Sequence, residues 1–488
     1  MKRILNITLI FLLGLLLLGC EKVKEGPEKN GNPDNTEINT QQPETNNNEQ
    51  ASDNSDNPDD PDNQENQGNQ EEQPENGNSG NGQNAIDIDE SSDYEFLASG
   101  APSTMSASDK AKVAKVNEFA LSFAGLVDEA KGGTSYVFSP VSLAYVLGML
   151  SEGADGTTRQ EIVDALGFEQ GGQREIDEFC RNLIVLSSQE SPGGEALELA
   201  NAVVISQGFG LKESYKEVTK NYYDAFVTEK DFDTEDIVGY LNSWAAAHTH
   251  GRIEKIISEL SPGAVAFFLN ATYFKGSWYN QFDEYFTKSE DFTTSSGGKR
   301  KEQLMHRKDL DGRTAYAKGL GYSAVRLPYG NPETGAIGNC AMTVILPDTG
   351  KSVNDILGSL EKDAWGNLQS SFSNEYVDLK LPRFDIKFDE SLNDILASLG
   401  ISTMFSPWAD FSNMTEWDVF VSFVKQVANI TVDERGTEAA AVTIAGMVGA
   451  SSPDEQAPQF IQFYANRPFL FAITEKTTGA ILFLGCYQ

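Results

Sequence analysis

The chain has 488 residues and a formal net charge of −36, from 37 Lys and Arg against 73 Asp and Glu. Length alone would suggest about three domains, but residues 20–100 hold 21 acidic and three basic residues and almost no large apolar side chain between Ile38 and Ile86. The remainder after position 100 carries −20, which argues against a phosphate-backbone binder, because that needs clustered Lys and Arg.

Lys2 and Arg3 precede an apolar run, Ile4 to Leu18, too short to span comfortably as a permanent helix. It ends in Leu17-Leu18-Gly19-Cys20, which resembles the lipobox of bacterial lipoproteins. That resemblance implies cleavage after Gly19 and lipidation of Cys20, so that acyl chains anchor the protein in the bacterial cell envelope, the outer-membrane surface being one location. A plain secretory signal is the alternative. Residues 1–19 are then a signal peptide. Residues 20–107 form an acidic, Asn/Glu/Pro-rich spacer that cannot bury enough apolar surface to order, and 108–488 form the folded domain. Nothing later in the chain is long and apolar enough for a transmembrane helix.

Val116, Phe119, Phe123 and Leu126 recur at helical spacing. Ser139-Pro140 offers an N-cap and an N1 proline to Val141–Leu150, a helix apolar nearly all round and therefore buried. Leu197–Ile205 and Val265–Phe274 read as central strands, each with one asparagine inside, Asn201 and Asn270. Lys299-Arg300-Lys301 reads as a solvated turn, and Val377–Leu381 alternates as a half-buried strand. Val344–Leu346, Phe460–Tyr464, Phe469–Ile473 and Ile481–Leu484 make the C-terminal part strand-rich. Irregular mixing of helices and strands predicts α+β.

Cys180, Cys340 and Cys486 remain beside Cys20, without a CxxC pair, which argues against a disulfide framework or a zinc site. One bridge between two of the three stays open. His248 and His250 flank Thr249 at what reads as the end of a polar helix, and only His306 is left. No GxSxG elbow, Walker loop or GxGxxG motif follows a strand. The chain is not expected to be an enzyme.

Residues 433–445 read Asp-Glu-Arg-Gly-Thr-Glu-Ala-Ala-Ala-Val-Thr-Ile-Ala. Taken alone they are a flexible loop, a short Ala/Glu helix, or a loop suited to become a strand. A segment that enters a crowded sheet needs small uncharged side chains at period two. Thr437, Ala439, Ala441 and Thr443 supply them, with Glu438 on the other parity.

From about Ala111 to the end the chain resembles a serpin. The resemblance is carried, in order, by Tyr136–Ser142, Gly153–Thr157, Leu166-Gly-Phe168, Asn270–Trp278, Leu381-Pro-Arg-Phe384, Gly436–Ala441 and Phe463–Phe471. It implies one α+β domain with three β-sheets, eight or nine helices and an exposed reactive-centre loop. It also implies suicide inhibition of a serine protease by a monomer without cofactor or metal. The protease acylates itself on the loop, and cleavage frees the loop to enter the central sheet as a strand. About 14 inserted residues would carry the protease some 45 Å. By family spacing the hinge is Gly436, Thr437, Glu438, Ala439, Ala440 and Ala441. The scissile bond is Ala450–Ser451, with Met447 and Val448 as other registers. Ala450 suits the small S1 pocket of an elastase-like protease. The family's polar cluster under the opening sheet maps to Ser139, Ser142 and Asn270, with Gln426 where the family has histidine. A non-inhibitory serpin, a binding or chaperone-like module, is the competing expectation.

Overall fold

The computed structural model describes residues 12–22, 105–168, 172–187, 189–361, 363–437 and 458–488. Among them are nine α-helices, two 3-10 turns and three sheets, the expected α+β class. The first helix runs Ala107–Lys131. Ser106 and Asp109 close a capping box at its start, and Gly132 ends it in the left-handed region. Helix Pro140–Gly153 begins at the Ser139 cap with proline in its first turn, and 13 of its 14 residues are buried. It lies in the core against the first sheet.

From edge to edge the first sheet contains Phe384–Ser391, Val419–Val432, Leu12–Lys22, Ala264–Ser277, Ala196–Ser206 and Ala225–Lys230. Gly436–Thr437 adds to the Ser277 end of Ala264–Ser277. That end is called the top here, and the Ala264 end the bottom. The second sheet orders Ser373–Glu375, Thr314–Gly319, Tyr322–Asn331, Ala336–Pro347, Phe469–Glu475, Ile481–Tyr487 and Tyr136–Phe138. Four strands, Ile461–Tyr464, Val377–Pro382, Lys299–Lys308 and Lys288–Thr293, form the third.

Three local readings change. Lys299-Arg300-Lys301 is not a turn but the start of a strand: Asp291 on the neighbouring strand pairs with both lysines, and Arg300 lies over the Phe292 and Tyr487 rings. Val377–Pro382 is buried on both faces apart from Lys380. Its Asp378 is accommodated because His306 and Tyr464 hydrogen-bond to it at 2.7 and 2.9 Å. Burial pushes that carboxyl up, but these two donors outweigh it and hold it below the usual range. The helix before His248, Ile237–Ala247, is not polar, since Ile237, Tyr240, Leu241 and Trp244 bury one face. Within the apolar N-terminal run, which the sequence reading set outside the folded domain, Leu12–Lys22 is a strand of the first sheet. Cys180, Cys340 and Cys486 are buried and unpaired.

Candidate functional site

The strand Ala264–Ser277 is the spine of the site. Ten consecutive residues, Val265 to Phe274, are buried, as expected of a strand covered on both faces. On one side it pairs with Ala196–Ser206, and on the other with Leu12–Lys22, which in turn pairs with Val419–Val432. The two long strands Ala264–Ser277 and Val419–Val432 are therefore not neighbours. They bound a slot one strand wide, and the inserted strand runs antiparallel to both.

Beneath the slot lies a continuous polar chain. The Gln426 side chain grips the backbone of Ser139 twice, accepting from its N–H at 3.3 Å and donating to its carbonyl at 3.1 Å. Ser139 Oγ caps the helix by accepting from Ser142 N–H. The Ser142 hydroxyl meets that of Thr272 at 2.7 Å, and Thr272 Oγ1 donates to Asn270 Oδ1 at 3.1 Å. Asn270 Nδ2 donates to Asn201 Oδ1 at 2.8 Å, and Asn201 Nδ2 closes the chain on the Tyr223 carbonyl at 2.6 Å. All six side chains are buried, where an unpaired polar group would cost about 1–3 kcal/mol. The four residues expected from sequence do converge, but not by direct contact alone: Thr272 and Asn201 complete the link. Asn201 carried a signal, as a polar break in an apolar run, whereas Thr272 is an ordinary strand residue and carried none.

The segment expected to be the hinge begins at the top. Asp433 accepts from the backbone N–H of Arg435 and Gly436, fixing a tight turn out of Val419–Val432. Burial pushes the Asp433 carboxyl up in spite of those bonds. Glu434 is buried and receives Arg383 through Nε at 2.8 Å and Nη2 at 2.6 Å, together with the Thr287 hydroxyl. The Arg435 and Glu434 carbonyls accept from Trp278 and Phe282 N–H, both at 2.8 Å. Gly436 has φ 148°, and a Cβ there would stand 2.3 Å from the Gly276 carbonyl oxygen, so only glycine fits. Thr437 follows opposite Gly276 with its side chain fully enclosed. Its hydroxyl meets Tyr329 Oη at 2.8 Å, and the Tyr329 ring stacks on Trp278 with centroids 4.6 Å apart. Trp278, Arg383 and Glu434 lie in the stretches singled out from sequence without a role there, whereas Tyr329 carried no sequence signal. Glu438, Ala439, Ala440, Ala441, Ala450 and Ser451 lie outside the described residues, and Cys20 lies in the strand Leu12–Lys22.

A cleft of about 340 Å³ lies beside helix Ile237–Ala247, between Glu198, Asp224, Phe226, Trp244, His248 and Asn201, which it shares with the polar chain. Among the described residues no group of acidic, His and Cys side chains could hold a metal ion.

Residues 114–488 match the family model "Serpin (serine protease inhibitor)". Wheat Serpin-Z1B is 31% identical over 397 residues, covering 78% of this chain and 97% of its own. Intracellular coagulation inhibitor 2 of Tachypleus tridentatus is 31% identical, covering 72% and 85%. Two solved structures superimpose with TM-score 0.67 at 25% identity: the thermophilic serpin tengpin in its native state, covering 77% and 93%, and human thyroxine-binding globulin, covering 78% and 98%.

Proposed function

Because the chain belongs to the serpin family, whose members are typically protease inhibitors, we propose that it traps serine proteases as a suicide substrate, with elastase-like enzymes as its targets. The protease cuts Ala450–Ser451, remains esterified to Ala450, and is carried down the slot as the freed loop inserts. The observation that carries this reading is the register at the top. With Thr437 opposite Gly276 and one strand residue per partner residue thereafter, Thr443 reaches Asn270 on the same face as Thr437, above the polar chain. Ala450 then reaches Gly263, the residue just beyond the bottom end of Ala264–Ser277. Met447 and Val448 would stop inside the sheet, where no protease could be attached. Ala450 is the first of the three to clear it.

The travel is about 43 Å, from 13 residues at roughly 3.3 Å each. Pulling the acylated serine out of its own site strips the ester of its oxyanion donors, and losing one such donor slows acyl chemistry roughly 10²–10³-fold. The ester then outlives the encounter. Cys20 is the lipid anchor, the acidic segment holds the domain off the bilayer, and the protein works at the cell envelope. The alternative is a non-inhibitory carrier, for which the cleft beside Trp244 supplies a space. A panel of elastase-, chymotrypsin- and trypsin-like proteases decides between them. An SDS-stable conjugate of chain and protease is expected with elastase-like enzymes, and loop cleavage without conjugate throughout would reject inhibition.

A further inference from the structure

The slot in the first sheet is filled by the chain's own leader. Leu12 pairs with Ile430 on one side and Phe274 on the other, and at the far end Lys22 reaches Val419, the first residue of its strand. The last described hinge residue, Thr437, faces Gly276 and the first described leader residue, Leu12, faces Phe274, so one residue of the spine strand, Lys275, lies between these two pairings. Leu16 stands opposite both Asn270 and Gln426. The leader therefore holds the positions along the slot, and beside the polar chain, that the loop would need. Backbone donors and acceptors facing the slot from either strand are satisfied by it, which removes the open edges that drive strand addition.

The processing point has its own place in this arrangement. The register slips between Gly19 and Cys20 against Val419–Val432, and between Cys20 and Glu21 against Ala264–Ser277. Those irregularities sit at the junction where the lipobox resemblance puts cleavage. A peptide bond paired on both sides within a sheet cannot enter a peptidase cleft, which takes extended, unpaired chain. Docking of the leader and cutting after Gly19 are consequently exclusive.

We propose that segment 12–22 is an intramolecular occupant of the loop's slot, so that the unprocessed chain excludes its reactive loop and removal of the leader arms it. This rests on the insertion reading above. The test uses the full chain and the full-length double variant Gly14→Pro/Leu16→Pro, whose prolines remove two ladder N–H groups. Leu18→Pro serves as an independent break. Each protein is nicked in the loop with thermolysin and melted before and after, with and without a synthetic peptide of residues 12–22.

The unaltered chain should gain little on nicking, because its slot is occupied. Both proline variants should gain many degrees, and the peptide should raise their melting point while cancelling that gain. Equal gains in all chains, or a peptide that leaves every melt unmoved, overturn the proposal. A peptide that stabilises the variants when nicking gives no gain supports slot occupancy by the leader and rejects loop insertion, so the two readings fail separately.

Discussion

Thr437→Arg tests the trap at its entry point. The wild-type side chain is 0% exposed and its hydroxyl meets Tyr329 Oη at 2.8 Å. Tyr329 is itself buried between Trp278, Phe274 and Gly276. Arginine there removes that bond, costing about 1–3 kcal/mol for a buried hydroxyl left unpaired. It also asks a cation to give up its hydration in a buried site, which costs several kcal/mol more even after relaxation. Since Thr437 is already enclosed in the intact chain, an arginine is turned out of the sheet there, and burying it on insertion meets a combined penalty of about 4 kcal/mol that slows insertion roughly 10³-fold, whereas cleavage of the loop beyond the hinge does not feel it. Deacylation then wins, and the protein is consumed as a substrate. The assay is the ratio of covalent complex to cleaved chain on a denaturing gel against titrated protease. Thr437→Val, which keeps the shape and loses only the hydrogen bond, should lower that ratio far less. If Thr437→Arg still captures protease as efficiently as wild type, insertion through this entry is not how the protein works.

Gln426→Leu strips both bonds from the Ser139 backbone inside the core, so it should cost about 2–4 kcal/mol by chemical denaturation, and an unchanged midpoint would show that the polar chain does not hold the sheet. Burial, against opposing Tyr223 and Gln173 hydrogen bonds, pushes Asp177 up to about 6; a carboxyl raised in the fold stabilises only while protonated, so its contribution is present below pH 4 and lost as pH rises through about 6. Asp177→Asn should therefore stabilise by about 2–3 kcal/mol at pH 8 and by little at pH 4, and a pH-independent difference would contradict this assignment. The C-terminal fragment released by a trapped elastase-like protease should begin at Ser451 by mass spectrometry, and a start at Val448 or Gly449 would move the scissile bond. Cys20→Ala should abolish incorporation of labelled fatty acid, and undiminished labelling would reject the anchor.

Local signals in the sequence carried much of this. Ser139-Pro140 announces the buried helix because a cap and an N1 proline act within one turn. Asn201 and Asn270 announce the polar chain because an amide in a buried strand requires a partner. The partners themselves were not legible. Thr272 meets Ser142 across 130 positions, and Arg383 meets Glu434 across 51, pairings fixed only when the sheets assemble. The alternation at Val377–Leu381 misled for the same reason: period two says which residues share a face, while burial depends on what covers it. A Leu-rich run suits a leader and a strand equally, so its pairing with Asn270 and Gln426 could not be read from composition.

The three buried thiols give the molecule built-in clocks. Burial pushes Cys180, Cys340 and Cys486 well above the ordinary thiol range, and reagents such as Ellman's disulfide attack only an accessible thiolate. Cys180 belongs to the helix Gly172–Ser187, where Tyr145 Oη donates to its carbonyl. Cys340 and Cys486 sit on strands of the second sheet. Modification times each opening separately, without an introduced label. Rearrangement confined to the first sheet should leave the Cys340 and Cys486 rates untouched, whereas loosening of the helical layer should quicken Cys180 alone.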